Sequence, residues 1–531
     1  MKTHMPSPLP LSRREMGNDN PSPCGGWVEI RAFFGEKLGI FLRPILILTL
    51  LITSACTAPN AEPTALATAP VPTDNFPTPA AQFTPIPTRA PYQPGELIDY
   101  IAQTGDTLPA LARHFNTTET EIRAANLKAD GSPIIPTDAT TMPPGFPMKI
   151  PIYYQALWGT PYQIIPDSLF INGPAQLGFD TKSFVQKQPG WLRSYKGQLA
   201  DGPHTGAEIV DIVAINFSVS PRLLLALLDY YAAALSNPAP PDDEYILNYR
   251  NPNYQGLYLQ LVWAANTLNN GYYGWRRGDL REFEHPDGRI ERPDPWQNAG
   301  TVAIQYFFSR LYSAELFDQM IGPGGLAETY ARLFGDPWAN ISPHIPGSLR
   351  QPELLLPFER GKSWNYTGGP HTGWGKGEPY AAIDFAPTGV SGCGDTGEWA
   401  TAMASGIVAR TGEGEVILDL DGDGDERTGW VLYHLHLASQ ARVTPGQVIK
   451  TGDRLGHPSC EGGSSTGTHI HIARKYNGEW ILADSPIPFV MEGWLVNGGN
   501  IPYQGTLHKN SRTVIASSKA EGKSLIISGE Q

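Results

Sequence analysis

Positive charge is scarce in this chain of 531 residues: 39 Lys and Arg face 52 Asp and Glu, a formal net charge of −13, with no basic cluster. That excludes nucleic acid as a partner, because phosphates need a basic surface to release their counterions. Cysteine is scarce too, with four in all. No HExxH pattern occurs, which removes the protease design in which a helical Glu serves as base. The N-terminal apolar run, Pro44–Ala55 (PILILTLLITSA), falls short of the roughly 20 residues that a membrane span takes. Glycine (56) and proline (50) are plentiful, which fits turn-rich β structure and a Pro-rich linker. The length suggests three or four domains, and 41% hydrophobic residues suffice to pack their cores.

Residues 1–56 read as an export signal, with Lys37 and Arg43 beside the apolar run. The run ends in Thr53-Ser54-Ala55-Cys56, which resembles the lipobox of bacterial lipoproteins, although Leu is usual where Thr53 stands. The resemblance implies lipidation of Cys56 and anchoring to the outer face of the cell membrane. An ordinary signal peptide is the alternative, and the mature chain is extracytoplasmic in both cases. Cys24 is then lost, and oxidising surroundings make Cys393 and Cys460 a candidate disulfide, two buried free thiols being the alternative. Residues 57–95 are Pro/Thr/Ala-rich and almost devoid of large apolar side chains, so they form an extended spacer.

Residues 96–153 carry a strand-like alternation at Ile98–Ile101, then Gly105-Asp106-Thr107-Leu108, two short helical patterns and a closing strand at Met148–Pro151. This βααβ unit resembles a lysin-motif domain. The resemblance implies binding of N-acetylglucosamine chains through Gly105, Asp106, Thr107 and Leu108, with Asn126 from the loop after the second helix. A small domain without sugar affinity is the alternative.

Residues 155–350 read as an α-helical middle domain. Ser220-Pro221 starts one helix, with Pro at its first position. Leu257, Leu261, Ala264, Ala265 and Leu268 stripe a second, which Gly271 is expected to end; Ala303, Tyr306, Phe307, Arg310 and Leu311 mark a third. Asp229 stands where a glycan-cleaving enzyme would place its acid, but no carboxylate pair at defined spacing accompanies it. The expected role is scaffolding or glycan contact.

Histidine carries the chemistry. Six of the twelve histidines fall between positions 371 and 471. In Thr468-His469-Ile470-His471-Ile472 a strand would turn both imidazoles to one face, about 6–7 Å apart, so that one binds metal while its neighbour acts on substrate. Tyr433-His434-Leu435-His436-Leu437 repeats the arrangement, and Gly368-Gly369-Pro370-His371 precedes Ala382-Ile383-Asp384-Phe385. Three ligands of the His, Asp, His type leave one corner of a tetrahedral zinc open. Without a zincin-type Glu, histidine must move the proton and steady the developing oxyanion.

On these motifs residues 351–510 resemble the lysostaphin-type zinc endopeptidases. Most members place the first ligand histidine four residues before the aspartate, where this chain has Tyr380; the staphylolysin-like branch has Gly-Pro-His thirteen residues ahead, as His371 stands to Asp384. The resemblance implies an antiparallel β-sheet fold, zinc on His371, Asp384 and His471, and catalytic roles for His469 and His436, with His434 a flanking candidate on the same face. It implies cleavage of the peptide cross-links of peptidoglycan, at glycine bridges or direct D-alanyl links. The alternative is a non-catalytic wall-binding protein or hydrolase activator. Asp419-Leu420-Asp421-Gly422-Asp423-Gly424-Asp425 resembles a calcium loop, but Trp430 occupies the twelfth position where a Glu is needed, so Ca2+ is not favoured over an acidic hairpin turn. Residues 511–531 read as a C-terminal tail. The expected whole is multidomain: lysin motif, helical domain and β-sheet peptidase, with peptidoglycan and the membrane as partners.

Overall fold

Apolar alternation in both arms of the first unit produces a two-stranded sheet. The computed structural model describes Arg89 and residues 91–530; the export segment, Cys24, Cys56 and most of the spacer lie outside the described residues. Strand β1 (Glu96–Ile101) pairs antiparallel with β2 (Pro147–Ile152), Ile98 opposite Ile150. Helices α1 (Leu108–His114) and α2 (Glu119–Ala125) cover its inner face, burying Tyr100, Leu111, Phe115 and Ile122. Thr107 caps α1, and Thr118 with Glu121 forms a capping box on α2. Asp106 accepts from the Tyr100 hydroxyl and the Gln103 N–H, each at 2.7 Å, and burial pushes its pKa up to about 6. Asn126 is buried: its amide donates to the Ile122 and Lys149 carbonyls and accepts from the Lys149 N–H. Both ends of that side chain are spent tying α2 to β2, so the expected sugar contact at Asn126 is not available.

The middle region is helical, around α3 (Gly206–Phe217), α4 (Pro221–Ala232), α5 (Gly256–Arg277) and α6 (Ala299–Ser309). Helix α5 does not stop at Gly271; it runs to a left-handed Gly278, φ +73°. A Cβ on Gly271 would lie 2.8 Å from Ala303 Cα, so this glycine lets α5 and α6 approach closely. Asp229 accepts from the N–H groups of Leu235 and Ser236 and pairs with Arg332. It locks the end of α4 and is not a free acid.

The C-terminal region is a nine-stranded antiparallel sheet. It is built from β3 (Ser363–His371), β4 (Ala382–Pro387), β5 (Gly406–Thr411), β6 (Val416–Asp419), β7 (Trp430–Leu435), β8 (Val448–Ile449), β9 (Ile470–Tyr476), β10 (Glu479–Ile481) and a last strand, β15 (Leu525–Ile527). The spatial order is β8-β5-β6-β7-β9-β4-β3-β15, with β10 paired to β9. A second, four-stranded sheet follows in chain order: β11 (Val490–Met491), β12 (Trp494–Gly498), β13 (Gly505–Lys509) and β14 (Arg512–Ile515). Residues 511–531 are therefore not a tail: β14 completes this sheet, and Ile526 pairs with Trp364 of β3. These strands are too short to show a clear alternation in sequence.

Both faces of the large sheet are buried. Ile383, Phe385, Leu432, Ile470 and Ile472 face a core of the sheet domain itself, whereas Ala382, Val431, Tyr433 and Ala473 join the core of the helical region. Glu479 pins that second interface. Its carboxylate takes Tyr272 Oη at 2.8 Å, His344 Nε2 at 2.6 Å and Arg276 Nε at 3.1 Å, while Arg276 also pairs with Asp167. Burial acts to raise the Glu479 pKa, but Arg276 and His344 outweigh it and hold it at about 2. Glu479→Ala strands a buried guanidinium and is expected to destabilise the chain by about 3–5 kcal/mol in denaturant unfolding. The folded pKa lies below the unfolded one, so the stabilisation is full above about pH 4.5 and is lost as pH falls toward 2.

Candidate metal centre

Three adjacent strands deliver three donors to one spot. His371 closes β3, Asp384 sits in β4 and His471 in β9, and the register sets His471 opposite Asp384 and His371 opposite Ala382. Gly368 also lies opposite Asp384, where a Cβ would come within 2.5 Å of the carboxylate, so the carboxylate leans over β3 only because glycine is there. His371 Nε2 lies 3.0 Å from His471 Nδ1, and each is 3.3 Å from Asp384 Oδ1. All three residues are buried, and Asp384 Oδ1 has no hydrogen-bond partner.

Backbone carbonyls set the tautomers. His371 Nδ1 donates to Gly369 O at 2.8 Å and His471 Nε2 to Gly373 O at 3.2 Å, which leaves the two facing nitrogens as lone-pair donors. Two lone pairs and an orphaned carboxylate oxygen converging at buried side chains are a misfit for an ion-free core and a fit for a divalent metal. Burial acts to raise the Asp384 carboxyl, yet the neighbouring imidazoles of His371 and His469 hold it well below the usual carboxylate range.

Two more histidines flank this group in the same manner. His469 Nδ1 donates to Gly467 O at 2.7 Å, and its Nε2 lies 3.8 Å from Asp384 Oδ1. His436 Nδ1 donates to Glu461 O at 3.0 Å, and the His436 and His469 ring centres are 4.4 Å apart. His434 is not on this face. It lies opposite Ile472 and Val416, fully buried in the core of the sheet domain, where burial lowers its pKa to about 4. Strand alternation would place His434 and His436 together, but β7 ends at Leu435 and His436 adopts φ +66°, which swings its ring to the metal face. Tyr503, which carries no motif in the sequence, stacks on His371 with ring centres 4.1 Å apart, and Gly369 N donates to Tyr503 O while Tyr503 N donates to Pro370 O, joining the two segments.

A cavity of about 180 Å³ opens over the group, walled by Trp374, His436 and Tyr503 on one side and by Phe217 and Trp263 of the helical region on the other. Asn266 and Asn270 of α5 accept from the N–H groups of Lys376 and Glu378 and so hold the β3–β4 connection beneath it. A disulfide joins Cys393 to Cys460, and the loops it links also meet where Gly392 O and Gly394 O accept from Thr468. Such a bond belongs to an oxidising compartment. Replacing both cysteines by serine is expected to lower unfolding stability by about 2–4 kcal/mol, since the bridge closes a loop of 67 residues.

Comparison with known proteins agrees with this geometry. Residues 163–347 match the model of the LasA N-terminal domain, and residues 100–136 that of the LysM domain. Protease LasA of Pseudomonas aeruginosa strain UCBPP-PA14 is 26% identical over 336 residues, which cover 59% of this chain and 74% of that protein. The beta-lytic metalloendopeptidase of Lysobacter enzymogenes is 30% identical over 129 residues, 24% of this chain and 71% of that protein. The chain belongs to the LasA/M23 metallopeptidase family. A solved structure described as a novel M23 metalloprotease, pseudoalterin, from the deep sea is 25% identical, with a TM-score of 0.28, covering 31% of this chain and 96% of that one. As an M23 metalloendopeptidase the chain has a His-Asp-His group consistent with zinc, and its LysM domain implies peptidoglycan binding. In this M23 chain Asp419, Asp421 and Asp423 also cluster, but the buried Asp419 carboxylate already accepts from Gly422 N and Gly424 N, which builds the turn between β6 and β7.

Proposed function

We propose that this enzyme is a zinc endopeptidase that cuts the peptide cross-links of peptidoglycan. His371, Asp384 and His471 would hold the ion. When bound, zinc supplies Lewis acidity toward the scissile carbonyl. The remaining work falls to this chain's own groups. With Nδ1 committed to the Gly467 carbonyl, His469 keeps the Nε2 lone pair free beside the ligand set. It takes a proton from the water that attacks the scissile carbonyl carbon and returns it to the leaving amine as the C–N bond breaks. His436, held by Glu461 O, stands next to it and steadies the charge that develops on the carbonyl oxygen. The observation that carries the reading is the convergence of two lone-pair nitrogens on an unpartnered buried carboxylate oxygen, with two further imidazoles alongside.

Lipidation at Cys56, with the spacer behind it, would hold the enzyme at the outer face of the membrane, and Gly105 and Thr107 would contact the glycan. Asp106 is held by Tyr100 and Gln103, and Leu108 is packed in the LysM core, so the contacts expected of those two are withdrawn. Mass spectrometry of material released from purified peptidoglycan is the test. New free amino groups, no new reducing sugar ends and full inhibition by a chelator are expected. Binding to the wall with nothing released would replace this reading with that of a non-catalytic binder.

A further inference from the structure

The LysM domain is not a bead on a string. The segment 344–350 straps both of its loops: Thr104 Oγ1 and the Ile345 backbone exchange two hydrogen bonds, Thr140 and Thr141 bond to Leu349 and Pro346, and Arg350 pairs with Asp138. Arg276 of α5 donates to Thr104 O and lies so close to Gly105 (φ +76°) that no Cβ would fit there. The loops expected to grip sugar therefore face into a cleft of about 630 Å³, within the roughly 300–1,000 Å³ range of small-ligand sites. Its walls are Gly105, Thr107 and residues 137–141 of the LysM domain, Tyr273, Arg276 and Arg277 of α5, and side chains of the 481–487 loop of the peptidase domain, Asp484 and Ser485 among them.

Charge in this cleft is already matched. Arg276 is paired with Asp167 and Glu479, Arg277 with Asp279 and Glu378, and Arg113 with Asp279. Arg123 also lines the cleft and donates to Pro136 O, but four arginines there stand against the four carboxylates Glu119, Asp138, Glu479 and Asp484, so no net positive charge draws an anion, while hydroxyl and backbone groups line the rest of the walls. That surface suits an uncharged ligand rich in hydroxyl and amide groups. We propose that the LysM loops, the last turn of α5 and the 481–487 loop together form one composite site for a chain of N-acetylated amino sugars. The inference rests on the glycan-binding role given above to the LysM domain.

Two elements fix how far this cleft lies from the metal centre. Helix α5 has Asn266 beside the metal cavity and Arg276 in the cleft, ten residues that rise about 15 Å. Along strand β9, His471 stands at the metal centre and Lys475, which pairs with Trp480 at the cleft, lies four residues on, a similar span of about 13 Å. A glycan in the cleft would thus be held at a set distance from the scissile bond, which a flexible tether could not do.

Calorimetric titration of the full chain with a β-1,4-linked hexamer of N-acetylglucosamine tests this. Thr137→Trp narrows the LysM wall; Ser485→Trp and Asp484→Ala alter the peptidase wall, and unchanged melting temperatures show that each variant is folded. All three are expected to weaken binding about tenfold or more. If only Thr137→Trp weakens it, the composite site is refuted and the LysM role stands. If the unaltered chain does not bind the hexamer, the LysM role fails and the composite site with it.

Discussion

Replacing His471 by alanine is expected to leave the chain without bound zinc and without measurable peptidase activity. Its Nδ1 is one of three donors held within 3.3 Å of one another, and a site reduced to one imidazole and one carboxylate no longer encloses the ion. The fold is expected to survive. The ring occupies the metal face of β9, whereas Ile470 and Ile472 pack the core of the sheet domain on the opposite face. Zinc content after dialysis, set beside the cleavage rate, checks this: both should fall from their full values to background together, with the unfolding transition retained.

His469→Ala is expected to separate those two quantities. Its Nε2 stands 3.8 Å from Asp384 Oδ1, and no donor of the three-membered group depends on it. The variant should keep its zinc and lose about 10²–10⁴ in kcat, the range for removal of a general acid–base group. KM should change little, because the ring acts on the reacting atoms and not on the grip of the wall polymer. Loss of zinc in this variant would assign His469 to the ligand set instead.

Much of the site is legible in sequence because strand geometry is simple. His469 and His471 share a face by alternation, and the thirteen-residue step from His371 to Asp384 survives as the connection between β3 and β4. Alternation fails at His436, where one left-handed residue after the end of β7 reverses the side that the ring faces, and His434 is left in the core. Nor could spacing show that four backbone carbonyls orient the four imidazoles, since carbonyls carry no sequence signature. Gly271 reads as a stop because a glycine that ends a helix and one that admits a neighbouring helix look alike. Glu479 carries no sequence signal for a related reason. A buried carboxylate is identified by its partners, and Arg276 and His344 lie far away in the chain.

The docking of three regions onto one another also lay beyond local patterns. Val431, Tyr433 and Ala473 carry no local mark of what covers them, yet they join the core of the helical middle region. That packing sets one wall of the metal cavity and one wall of the LysM cleft on the same helix, α5.

The most direct measurement is a zinc titration of the chelated full chain, following soluble peptides released from purified peptidoglycan. Release should rise linearly and level off at about one zinc per chain. A chain that binds the wall yet frees no peptide at any zinc level would contradict the account.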